Sequence, residues 1–116
     1  MIELTVPMPP SDNRYYGKPK GNRHKFLTRA AREFRDEVTV IVLQKRLRGA
    51  VGKDRVTMQV TLNLKYGGDI LNRAKGLCDA LQYSGLLDDD GQIDDVRFIR
   101  GDKQDTCDIT IWHYPE

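Results

Sequence analysis

The stretch DRVTMQVTLNL, residues 54–64, decides the fold class. Val56, Met58, Val60, Leu62 and Leu64 alternate with Thr57, Gln59, Thr61 and Asn63, the period of a strand with one buried face. Gly67-Gly68 stop the run, and Asp69 is placed to cap a helix. From about 70 to 84 the period changes. Ile70, Ala74, Leu77, Cys78 and Leu81 fall at i, i+4, i+7, i+8 and i+11, one apolar face of that helix, which Ser84-Gly85 end.

The same reading extends towards the N-terminus. Thr28 is a candidate N-cap for a helix running to about Leu47, with Ala30, Ala31, Phe34, Val38, Ile41 and Val42 on its apolar face. Residues 2–6, IELTV, form a short strand that Pro7, Pro9 and Pro10 end. Between them, residues 11–27, SDNRYYGKPKGNRHKFL, read as a polar loop with few apolar anchors, longer than a simple connector. Towards the C-terminus an acidic loop, Asp88-Asp89-Asp90-Gly91, precedes two strands at about 93–101 and 106–114. A turn around 101–105 joins them, so the sequence predicts a hairpin. The order β-α-β-α-β-β makes residues 1–116 one α+β domain, a small mixed sheet with two helices packed on it.

Composition narrows the function. No apolar run approaches the roughly 20 residues of a spanning helix, so no membrane role is expected. The opening MIELTVPMPP lacks the charged and apolar regions of a signal peptide. Two cysteines, Cys78 and Cys107, supply neither a disulfide framework nor a Cys-x-x-Cys zinc half-site, and a reducing cytoplasm is the expected compartment. The net charge of +2 hides a segregation. Residues 12–55 carry 13 Lys/Arg against 5 Asp/Glu, and residues 66–116 carry 5 against 11. A basic half suits a polyanion, and an acidic half suits either solvent or a cation.

Four groups of residues could carry chemistry, each with a plainer alternative. Asp69 is a metal ligand or a helix cap. Asp88, Asp89, Asp90, Asp94 and Asp95 form a cation site or a solvated turn. A calcium EF-hand is excluded, because counting from Asp88 places Ile93 and Ile99 where Gly and Glu are required. Lys75 holds a phosphate or pairs with Asp79 one helical turn on. Arg14, Lys18, Lys20, Arg23, His24 and Lys25, interleaved with Tyr15 and Tyr16, form either a DNA-backbone grip with stacking aromatics or a solvated loop. His24 and His113 have no His-x-x-x-His spacing for zinc, and neither a P-loop nor a Gly-x-Ser-x-Gly elbow is present. Cys78 and Cys107 read as packed thiols.

Three stretches resemble the RusA family of Holliday-junction resolvases, small phage and prophage endonucleases. They are Pro9-Pro10-Ser11-Asp12-Asn13-Arg14-Tyr15-Tyr16, then Gly68-Asp69-Ile70-Leu71-Asn72-Arg73-Ala74-Lys75 with Asp79-Ala80-Leu81, then Asp89-Asp90-Gly91-Gln92-Ile93. The resemblance implies a structure-selective endonuclease of DNA recombination and repair, with Asp69 and Asp90 as Mg²⁺ ligands and Lys75 assisting catalysis. With such a substrate, the basic loop read above supplies the expected DNA contacts: Asn13, Arg14, Tyr15, Lys18, Lys20, Arg23 and Lys25. Leu71 stands where the family places a second helix-start acid. A substitute such as Asp89, a weakened site, or junction binding without cleavage would each account for it. A four-way junction presents two symmetric strands, so a homodimer with two sites is the expected assembly.

Overall fold

The alternation at 54–64 becomes strand β4 (Val56–Asn63), with Val56, Met58, Val60 and Leu62 at 0–1% exposure. The computed structural model describes residues 1–17 and 26–115. Their elements are β1 (Ile2–Pro7), α1 (Asp12–Tyr15), β2 (Tyr16–Gly17), β3 (Phe26–Leu27), α2 (Arg29–Gln44), β4, α3 (Ala74–Tyr83), β5 (Ile93–Arg100) and β6 (Thr106–His113). Short 3₁₀ turns cover Leu71–Arg73 and Asp90–Gln92. The main sheet has the order β1-β6-β4-β5, and β2 and β3 form a separate two-stranded ribbon. This is an α+β arrangement, as the element order predicts.

The two helices cover one face of the sheet. Phe34, Val38 and Val42 of α2 and Leu77, Ala80 and Leu81 of α3 meet Leu4, Val6, Met58, Val60, Leu62, Cys107 and Ile109 from the strands in one core. Helix α2 starts as the sequence predicts: Thr28 Oγ1 accepts the backbone N–H of Ala31 at 3.2 Å. It ends earlier than Leu47, because Arg46 takes a left-handed φ of 56°. The N–H of Leu47 then returns to the Val42 carbonyl at 2.9 Å, which closes the last turn. Among the described residues no helix is long and apolar enough to cross a membrane.

The expected hairpin of the last two strands does not form. Strand β5 pairs in parallel with β4, and β6 pairs antiparallel with both β4 and β1. Strand β4 therefore lies between the two that are adjacent in sequence. Helix α3 supplies the crossover that a parallel pair requires, which makes β4-α3-β5 a βαβ unit. Residues 101–105 then pass over the end of β4, where the Gly101 N–H donates to the Leu62 carbonyl at 3.0 Å and the Asp105 N–H to the Asn63 carbonyl at 2.7 Å. A side chain at Gly101 would put its Cβ 2.0 Å from Asn63 Oδ1, so only glycine fits this crossing.

The segment expected to be a polar loop is also more structured. Residues 12–17 form α1 and β2, and Tyr15 is fully buried. Tyr15 packs against α3 at Gly76 and anchors the segment there.

Candidate active site

Helix α3 begins at Ala74, and its first turn is organised by residues distant in sequence. Asp69 does not cap it directly. Asp69 Oδ1 accepts the N–H of Leu71 at 2.9 Å and so shapes the 3₁₀ turn that leads into the helix. The cap comes from α1: Asp12 Oδ1 accepts the N–H of Gly76 at 3.1 Å. Gly76 also lets the Tyr15 ring lie against the helix, since a Cβ there would sit 2.6 Å from Tyr15 Cδ2. The Tyr15 hydroxyl donates to Asp79 Oδ2 at 3.1 Å. Burial, reinforced by Asp79, pushes the Tyr15 phenol well above 10.0. Tyr15, expected among the DNA contacts as a stacking aromatic, is thus a core residue with no face left for a base.

Lys75 lies on the exposed side of α3, with Nζ 5.1 Å from the centre of the Tyr16 ring. Among the described residues no ion pair joins it to Asp79. Lys75 and Asp90 line one shallow cleft of about 360 Å³, walled by Ala74, Cys78, Ile93, Val96 and Phe98. Burial raises the Tyr16 phenol, and Asp79, Asp12 and Asp90 raise it further. The Cys78 thiol is pushed up to about 11 by burial, then by Asp90, Asp12 and Asp79. Of the carboxylates whose charge reaches Tyr16 and Cys78, Asp90 is the one that lines the cleft with Lys75.

The acidic loop is held by two glutamines. Gln92, buried, accepts the N–H groups of Asp88 at 2.8 Å and Asp89 at 3.1 Å through Oε1. Its Nε2 donates to the carbonyls of Gly52 at 3.2 Å and Asp54 at 2.6 Å. Gln82 Oε1 takes the Asp90 N–H at 3.2 Å. The loop backbone is fastened on both sides, and no carboxylate oxygen of Asp90 has a hydrogen-bond partner among the described residues.

Asp69 is exposed in the turn between β4 and α3, and Leu71 beside it is 63% exposed. Asn13 and Arg14 are exposed on α1. Lys18, Lys20, Arg23, His24 and Lys25 lie outside the described residues. Among the described residues no three His, Cys, Asp or Glu side chains come together as a metal cluster.

The family model described as Endodeoxyribonuclease RusA matches residues 7–111. The chain belongs to the RusA family. The crossover junction endodeoxyribonuclease of Enterobacteria phage HK97 is 32% identical to it over 103 residues, covering 87% of this chain and 83% of the phage protein. The RusA proteins of Shigella sonnei (strain Ss046) and Escherichia coli (strain K12) are 31% and 30% identical over 98 residues, 84% of this chain and 80% of each relative.

Within this RusA chain, residue-by-residue reading of the sequence misses four contributors. Asp12 and Asp79 look like ordinary acids, because their partners are 64 residues away. Tyr16 reads as a base-stacking aromatic, whereas its ring faces Lys75. Gln92 stands in the Asp-Asp-Gly-Gln stretch, but its role depends on carbonyls 38 and 40 residues earlier.

Proposed function

We propose that this RusA-family chain is a crossover junction endodeoxyribonuclease that cuts four-way DNA junctions by Mg²⁺-dependent phosphodiester hydrolysis. The observation that carries the reading is the joint exposure of Lys75 and Asp90 in one cleft, inside a chain that matches the family over residues 7–111.

The donors present suit a hard cation. Asp69 keeps Oδ2 after Oδ1 is engaged by Leu71, and Asp90 keeps both oxygens. Mg²⁺ needs only one or two protein carboxylates, with water and phosphate oxygens completing its shell. Bound by Asp69 and Asp90, the ion would supply Lewis-acid activation of water and charge neutralisation at the scissile phosphate. Lys75, with its ammonium placed by the Tyr16 ring, stabilises the charge that builds on the phosphate oxygens. Gln92 and Gln82 keep Asp90 from drifting. Asn13 and Arg14 on α1, with Lys18, Lys20, Arg23 and Lys25 after it, hold the backbone of the branched DNA by charge and shape. Two copies acting as a homodimer would match the two strands that a junction offers.

A second reading, junction binding with impaired cleavage, draws on one observation: the exposed side chain at 71 is a leucine, which offers no oxygen. One assay separates the two. Four-way and linear DNA of equal length are incubated with the protein, with and without Mg²⁺. Paired nicks in the junction alone, and only with Mg²⁺, support the nuclease. Tight junction binding without nicks supports the second reading, and no preference for the junction contradicts both.

A further inference from the structure

The molecule has a second cleft, a cationic one, in which Lys65 and Arg73 have no role in the chemistry above and stand beside Arg14. Resting on the junction-nuclease reading, we infer that Arg14, Lys65 and Arg73 grip a backbone phosphate adjacent to the scissile one. The cleft measures about 380 Å³ and draws on the end of β1, α1 and both flanks of the Asp69 turn. Lys65, Tyr66 and Gly67 lead into that turn, and Arg73 ends the 3₁₀ segment that leaves it. Three cations and one acid, Asp105, line it. Among the described residues none of the three cations is in an ion pair.

Arg73 is the fixed member. Its Nη1 donates to the Pro9 carbonyl at 2.5 Å, and its Nε is buried without a partner among the described residues. Held there, the guanidinium keeps its positive charge in the wall of the cleft, where it favours a phosphate. Lys65 is free to follow the anion, and its Nζ lies 5.3 Å from the centre of the Tyr66 ring. Tyr66 is 89% exposed, so its ring adds nothing to the core and offers a face to a sugar or an unstacked base beside that phosphate.

The position fits a strand rather than a free anion. Each DNA strand carries a charge about every 3.4 Å along the helix axis. A strand with one phosphate at the Asp69 turn therefore brings its neighbour within reach of residues a few positions to either side.

The test uses the whole protein and a fluorescent four-way junction titrated with salt. Lys65→Ala is compared with the parent and with the pair Arg14→Ala/Lys65→Ala. Arg73 is left intact because it also holds Pro9. Lys65→Ala is expected to weaken junction binding about fivefold near 100 mM salt, and to lower the slope of log affinity against log salt by about 0.9. The pair should lower it by about 1.8. Junctions carrying one uncharged methylphosphonate near the cut then locate the contact. At one flanking position the neutral linkage should weaken the parent about fivefold but the Lys65→Ala variant less than about twofold. If the parent prefers junctions while the Lys65→Ala slope coincides with that of the parent, or if each neutral linkage weakens both proteins equally, the cleft holds no phosphate and the inference falls alone. If the parent shows no preference for junctions over linear duplex, the nuclease reading falls and takes this inference with it.

Discussion

Asp12 Oδ1 accepts the backbone N–H of Gly76 across 3.1 Å, so the helix carrying Lys75 is capped by a residue from the N-terminal segment. Arg73, at the local N-cap position, makes no side-chain cap bond. Replacing Asp12 with Ala is expected to cost about 1 kcal/mol of stability, the usual value of a lost cap. Asp12→Asn retains the acceptor and should recover most of that. Urea unfolding of the three proteins measures it, and equal stabilities for Asp12→Ala and the parent would show that the helix does not need this cap.

Gln92 makes four hydrogen bonds from a buried site and leaves two loop N–H groups and two carbonyls unpaired if removed. Gln92→Ala should destabilise by about 2 kcal/mol, within the range for a broken buried polar network. Cleavage should fall more than about tenfold at a temperature where the variant is still folded, because Asp90 loses its support. Thermal unfolding and junction nicking on the same preparation check both. Full activity in a folded Gln92→Ala protein would show that the loop holds Asp90 without it.

How much of this is legible in the sequence depends on the range of each interaction. The alternation of Val56 to Leu62, the Thr28 cap and the apolar face of α2 are set by neighbours within a turn or a pleat, and the structure keeps them; on α3 it keeps Leu77 and Leu81, while Ile70 lies before the helix and Ala80 takes a buried place instead. Strand pairing is a long-range choice. Residues 101–105 read as a hairpin turn because turn chemistry is local, whereas the parallel partner of β4 is chosen by the α3 crossover. Tyr15 looks like an exposed aromatic in a basic loop, and its burial depends on the missing side chain at Gly76, 61 positions on. The motif residues Asp69, Lys75 and Asp90 are candidates by their chemistry, and the resemblance raises them above the plainer alternatives. The Lys75–Asp90 cleft joins two of them, and the supports, Asp12, Tyr16 and Gln92, emerge only from the fold.

The two thiols give a pH prediction. Burial pushes Cys78 up to about 11 and Cys107 up to about 12, from an ordinary 9.0. A raised value in the folded state means the unfolded chain loses its thiol protons first. The contribution to stability is therefore complete below about pH 9 and declines as pH rises through 11 to 12. At about pH 8 the native thiols should react with iodoacetamide at least tenfold more slowly than the denatured chain, since the thiolate is the reactive form. Mass spectrometry of timed samples reads this, and rapid labelling of native Cys78 would contradict its burial.

Leu71 is 63% exposed, two residues after Asp69, where the resemblance implies an acid. Leu71→Asp adds a carboxylate at the start of the α3 segment and removes no core contact. Stability should change by less than about 0.5 kcal/mol. Junction cleavage in Mg²⁺ should rise at least about tenfold, equivalent to about 1.4 kcal/mol of barrier. Nicking rates and thermal midpoints for the two proteins decide it. A fast parent that gains nothing from the change would assign the missing role to another acid, with Asp89 the first to test.

The most direct measurement is single-turnover cleavage of a four-way junction by the parent and by Asp90→Asn, both at saturating protein and in Mg²⁺. Asp90→Asn preserves size and the backbone contact to Gln82 but removes the charge. Both proteins are expected to bind the junction within about threefold of each other, and the variant to cut at least about a hundredfold more slowly, a difference of about 2.7 kcal/mol. Equal cleavage rates for the two proteins would place the chemistry away from the Lys75–Asp90 cleft and contradict a nuclease site built there.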